Sequence, residues 1–126
     1  MNEITKELID SADSEYREFS SKLIPNVDKE TVLGVRAPIC KAIAKKFTGT
    51  HEGDSFLLEL PHKYHDENIV HGYMLGMIGT REQIENFLPH MNSWAVVDTT
   101  VAGLKKFFKK HRKMERFTFQ SMQPID

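Results

Sequence analysis

Trp94 and Asp98 stand four residues apart in the stretch Met91-Asn-Ser-Trp-Ala-Val-Val-Asp-Thr-Thr-Val, and Lys105, Lys106, Lys109 and Lys110 follow soon after. In a helix, residues four apart share one face, so an indole and a carboxylate would be presented together. A flat π surface beside a fixed negative charge suits a planar cation, and a lysine-rich helix end suits the phosphates of a nucleic acid. A purely structural account stands beside this one. Trp in a first turn is commonly a core anchor, Asp near a helix start is favoured by the macrodipole, and a run of lysines is commonly a solvated face. Residue types alone favour the structural account.

The other chemistry-bearing side chains are weaker candidates. His62, His65 and His71 lie close in sequence, but no cysteine or carboxylate cluster completes a tetrahedral set, and the 62–65 pair straddles a helix start. No metal site and no cofactor is therefore expected. The single cysteine, Cys40, sits among Pro38, Ile39, Ala42 and Ile43 and reads as a small buried apolar side chain. The chain has no phosphate-cradling glycine loop, no GxSxG elbow and no CxxC pair.

A chain of 126 residues, 40% apolar and 28% charged, is expected to make a single helical domain spanning 1–126. The apolar runs are too short to span a bilayer and the acidic N-terminus does not resemble a leader, so a cytoplasmic protein with no membrane partner is expected. The net charge of −1 conceals an asymmetry. Residues 1–30 carry eight acids against four bases, a net −4, whereas 105–116 carry seven bases against one acid, a net +6. That basic block beside Trp94 and Asp98 would form a phosphate-binding track, with the acidic N-terminus turned away from nucleic acid.

The elements that must position these residues all carry helical periodicity. Ile4, Leu8, Ala12, Tyr16, Phe19 and Leu23 define the stripe of one long helix ending before Pro25. A short turn over 28–32 is broken by Gly34, and Pro38 opens a helix to Phe47. Residues 48–53 read as a loop, with Asp54 capping a short helix through Leu60. Then come a helix from about Tyr64 to Ile78 ended by Gly79, another over Arg81–Leu88 capped by Thr80, and a last one capped by Asn92 or Ser93. Val97, Val101, Leu104 and Phe108 are the expected buried stripe of that last helix. No alternating strand pattern occurs, so the fold class is all-α, with about six or seven helices in antiparallel pairs; unequal helix lengths and Pro/Gly punctuation favour an α-solenoid over a symmetric bundle.

Three segments occur in a telling order: Leu33-Gly-Val-Arg-Ala-Pro38, Pro61-His-Lys-Tyr-His-Asp-Glu-Asn68 with His71-Gly72, and Asn92-Ser-Trp-Ala-Val-Val-Asp-Thr99. Together they resemble the DNA alkylation repair (AlkD-like) family of alkylpurine DNA glycosylases. The resemblance implies a superhelix of HEAT-like helix pairs with a concave basic face, acting on alkylated double-stranded DNA. It implies an active-site Trp at Trp94 and the catalytic Asp at Asp98, with Lys105, Lys106, Lys109 and Lys110 contacting backbone phosphates. It also implies an enzyme that grips the duplex without flipping the base into a deep pocket. Glu67 and the Pro-His-Lys-Tyr segment would be scaffold; Arg36 and Lys41 are read as packing or capping residues. The chemistry fits the residue types. An N3- or N7-alkylpurine is cationic and a good leaving group, so the need is for a charge that offsets the oxocarbenium sugar and orients water, which Asp98 could supply.

The motifs cover approximately residues 30–115. Members of the family are longer and bring a second active-site Trp and a DNA-contacting Arg from C-terminal helices, whereas this chain has only Trp94. It is therefore expected to be shortened, with residues 117–126 an irregular tail. The uncapped edge would associate with a second copy, be covered by the tail, or stay exposed. Three functions follow: an alkylpurine DNA glycosylase, active or inactive; a nonenzymatic duplex-binding module; or a HEAT-like protein-interaction fragment.

Overall fold

A computed structural model describes residues 2–91, 93 and 95–101. They form α1 (Glu3–Asp10), α2 (Ser14–Leu23), α3 (Ala37–Phe47), α4 (His51–Leu58), α5 (His65–Ile78) and α6 (Arg81–Phe87), with helical residues 95–101 as α7. Single 3₁₀ turns lie at Lys29–Thr31 and Leu88–His90. Among the described residues there is no strand, and the architecture is an all-α solenoid of seven helices. No helix among them is long and apolar enough to cross a membrane.

The long N-terminal helix read from the apolar stripe is two helices. Asp13 ends the run: its Oδ1 accepts from the backbone N–H groups of Glu15 and Tyr16, at 2.9 and 3.2 Å, and so begins a new helix. The Asp13 N–H donates to the Gly34 carbonyl at 3.0 Å, which ties the break to the loop before α3. Ile4 and Leu8 of α1 are fully buried, whereas α2 buries no residue and leaves Phe19 and Leu23 largely exposed. A stripe read across the break therefore merged two faces with different surroundings.

α4 also differs from expectation. Thr50, not Asp54, is its cap, with Oγ1 accepting from the Gly53 N–H at 3.1 Å, so the second half of the expected 48–53 loop is helix. Thr80 caps α6 as expected, in a reciprocal capping box with Gln83.

α5 organises the domain. It packs most extensively on α3 and also meets α1, which in turn contacts α3 and α4. Val70, Met74 and Leu75 are fully buried with Ile43, Ala44, Phe56, Phe87 and Val96 in one continuous core. Its first turn is polar yet buried: Asp66 and Glu67 are 3% and 6% exposed. Buried carboxylates need partners, and these have them. Asp66 accepts from the N–H groups of Leu33 and Val35 at 2.7 and 2.9 Å, while Glu67 accepts from Thr5 Oγ1 at 2.8 Å and the Tyr64 N–H at 2.9 Å. These two side chains pin α1 and the 33–35 segment to the start of α5.

Gly34, between the two N–H groups that Asp66 holds, has φ of +84°, and a Cβ there would lie 2.6 Å from the Asp13 carbonyl oxygen and 2.7 Å from the Arg17 nitrogen. Gly34→Ala should therefore destabilise the fold by about 3 kcal/mol, combining left-handed strain with overpacking against backbone. Urea unfolding checks this; an unchanged midpoint would refute the close approach.

Candidate functional site

Asp98 lies in the middle of α7, and the way that helix docks decides where its carboxylate stands. Ser93 caps it, Oγ accepting from the Val96 N–H at 3.3 Å. The buried face is Ser93, Val96 and Thr100, at 8%, 0% and 0% exposure, rather than the expected Val97–Val101 stripe; Val101 is 42% exposed. Two features make the shift. Thr100 Oγ1 donates to the Val96 carbonyl at 2.8 Å, so its hydroxyl is satisfied inside the core. Opposite it is Gly72 of α5, where a Cβ would approach Thr100 Oγ1 to 2.6 Å. The glycine lets the two helices meet closely.

At 100° per residue, Asp98 is about 160° from both Val96 and Thr100, so it points away from the packed face. It is accordingly exposed, and the ion pairs among the described residues do not include it. A carboxylate held on a docked helix and open to solvent can face an incoming sugar and its attacking water. Trp94, Lys105, Lys106, Lys109 and Lys110 lie outside the described residues. Leu104 and Phe108 of the expected stripe lie outside them as well.

The segments that seemed separate in the sequence meet in space. Asp66, from the Pro61–Asn68 segment, holds Leu33 and Val35 of the Leu33–Pro38 segment, and Gly72 receives Thr100 beside the Asn92–Thr99 segment. Sequence reasoning did not single out Asp66 or Thr100. The signal for Asp66 was a carboxylate in the first turn of a helix, while its partners lie 31 and 33 residues away in sequence; nothing in the composition signalled Thr100.

The histidines form a structural cluster. His62 Nε2 and His71 Nδ1 are 2.8 Å apart, with the His71 ring stacked on Phe87 at 4.1 Å and the His62 ring 4.2 Å from Phe56. Burial, reinforced by neighbouring histidines, pulls His62 down to about 4 and His71 to about 3, so both are neutral at neutral pH. Among the described residues no group of three or more His, Cys, Asp or Glu is placed to hold a metal ion. Cys40 is 1% exposed, and burial, reinforced by Asp66, pushes its thiol up to about 12, which leaves it without nucleophilic character.

Comparison with known proteins adds one finding. A family model described as DNA alkylation repair enzyme matches residues 4–121, a wider span than the three segments themselves. No curated protein and no solved structure matches the chain.

Proposed function

Because the chain belongs to the DNA alkylation repair enzyme family, we propose that it is an N-glycosylase releasing cationic N3- and N7-alkylpurines from duplex DNA. The observation that carries this reading is Asp98, a carboxylate on a capped and docked helix that faces solvent opposite the core. In the reaction, water oxygen bonds to C1′ as the C1′–N bond breaks. The bonding pair passes to the purine nitrogen and cancels its positive charge, and the water proton goes to Asp98 or to solvent. Asp98 offsets the oxocarbenium character that develops on the sugar, where a fixed charge acts most strongly. Trp94, four residues earlier, would offer its indole to the cationic nucleoside.

Lys105, Lys106, Lys109 and Lys110 are assigned to backbone phosphates of double-stranded DNA, since point charges on flexible stems grip phosphate without reading bases. Replacing all four by Gln should weaken duplex binding equally across sequences and flatten its salt dependence, because fewer counterions are released. Fluorescence anisotropy over a salt series checks this. Absence of duplex affinity at low salt in the wild type would refute the DNA-binding assignment.

The test of the glycosylase reading is release of 7-methylguanine or 3-methyladenine from methylated duplex by the folded protein. Duplex binding without release would leave a nonenzymatic DNA-binding module, a reading that the net +6 of residues 105–116 supports by itself.

A further inference from the structure

α2 buries no residue, yet it carries an apolar row: Phe19 and Leu23 are 60% and 67% exposed, and Tyr16 is half-buried. The helix stands off from the core, because its inner side borders a cleft of about 150 Å³ shared with the start of α5 and with α7. Tyr16, Phe19 and Leu23 are spaced three and then four residues apart, the spacing of a helix–helix seam. Glu15 and Lys22, both exposed, flank that row.

Seven residues bring a helix back to within about 20° of where it started. Glu15 and Lys22 therefore form one edge of this face, Tyr16 and Leu23 the other, and Phe19 lies between them. Such a face is complementary to itself under a twofold axis through Phe19. The axis sets two copies of α2 antiparallel, so that each edge meets its own counterpart. Glu15, four residues before Phe19, comes level to within one residue with Lys22 of the second copy, three residues after it. Tyr16 comes level in the same way with Leu23 of the second copy, and each pairing occurs twice.

The surface also offers the incoming side chain a seat. An open hollow of about 350 Å³ is lined by Glu15, Tyr16, Phe19 and Arg36. Its aromatic walls are the Tyr16 and Phe19 rings, 6.2 Å apart and tilted. The Arg36 guanidinium lies over the Tyr16 ring at 4.9 Å from the centroid and is held by Asp13 at 3.3 Å. The charges decide the occupant. A nucleic acid would meet Glu15 and Glu18 on this helix, and a partner of a single charge sign would be repelled at one end of the edge. A second α2 running in reverse meets opposite charge at both ends.

We infer that α2 is a self-association surface, on which two copies of this chain pair antiparallel about Phe19. Leu23 of each copy sits against Tyr16 and Phe19 of the other, and Glu15 lies beside Lys22 along the edge. The pairing goes beyond the glycosylase reading and does not depend on it. It also uses a different surface from the C-terminal edge expected from the sequence.

Sedimentation equilibrium of the full chain over a concentration series should show a monomer–dimer equilibrium. Phe19→Ser should weaken it about 100-fold or more, since each dimer loses two buried rings. The melting temperature of the monomer should be retained, because Phe19 is outside the core. Glu15→Lys and Lys22→Glu each make both edge pairs repulsive, and each alone should weaken the dimer about tenfold. An equimolar mixture of these two variants should recover the association of the wild type, since every edge pair in the mixed dimer is again of opposite charge. A monomer at every concentration, association untouched by Phe19→Ser, or no recovery in the mixture overturns the inference.

Discussion

Asp98→Asn should lower release of 7-methylguanine and 3-methyladenine from methylated duplex by about 100- to 1,000-fold, the size of effect seen when one preorganised electrostatic partner of a transition state is removed. The amide keeps the size of the carboxylate and loses the charge that, in the proposed reaction, offsets the sugar cation. Because Asp98 is exposed and stands opposite the packed face of α7, the substitution touches no core contact, and duplex affinity and melting temperature should change little. Single-turnover release by wild type and variant, with binding measured on the same duplex, checks both halves. Equal release would remove Asp98 from the chemistry. A parallel loss of binding and release would make it a binding residue.

Acidification should unfold the protein through the His62–His71 pair. Both rings ordinarily titrate near 6.5, but burial holds them neutral in the fold, at about 4 and about 3. Below pH 6.5 the unfolded chain takes up two protons that the folded chain refuses. The stability contributed by the neutral pair is therefore complete above pH 6.5 and is lost progressively as the pH falls toward 3. Each proton is worth up to ~1.4 kcal/mol per pH unit. Because His62 is only partly buried, a loss on the order of 4 kcal/mol between pH 6.5 and 4.5 is expected, a large share of the ~5–15 kcal/mol typical of a domain. Melting temperatures over that range check the slope, and the double variant His62→Gln with His71→Gln should show a much flatter profile. An equally steep profile in the double variant would assign the acid sensitivity to other groups.

Much of the architecture is legible in the chain because it depends on local signals. Helical periodicity without alternation sets the fold class. Thr80 with Gln83, Pro38 with the Val35–Ala37 approach to α3, and Gly79 after α5 set boundaries by cap and breaker chemistry that acts within a few residues. The family resemblance is legible for a different reason: three short segments keep their order and spacing, and the match over residues 4–121 agrees with it. Trp94 and Asp98 were singled out by type and spacing, which is enough to nominate a pair and insufficient to say which way it faces.

What tertiary structure decided lies where two elements compete for one surface. Periodicity placed Val97 and Val101 inward, but α7 turns about one residue to bring Thr100 against Gly72, because a glycine permits a closer approach than any pair of larger side chains and the Thr100 hydroxyl is satisfied by its own helix. That rotation exposes Asp98. The apolar spacing from Ile4 to Leu23 is continuous, yet Asp13 supplies a cap and a bond to Gly34 that a straight helix cannot make, so the chain turns there. The polar first turn of α5 is buried because Asp66 and Glu67 find backbone and hydroxyl donors 31 to 62 residues away. A periodic pattern records what one helix prefers; the cleft and the facing of Asp98 depend on partners distant in sequence, whose distances only packing sets.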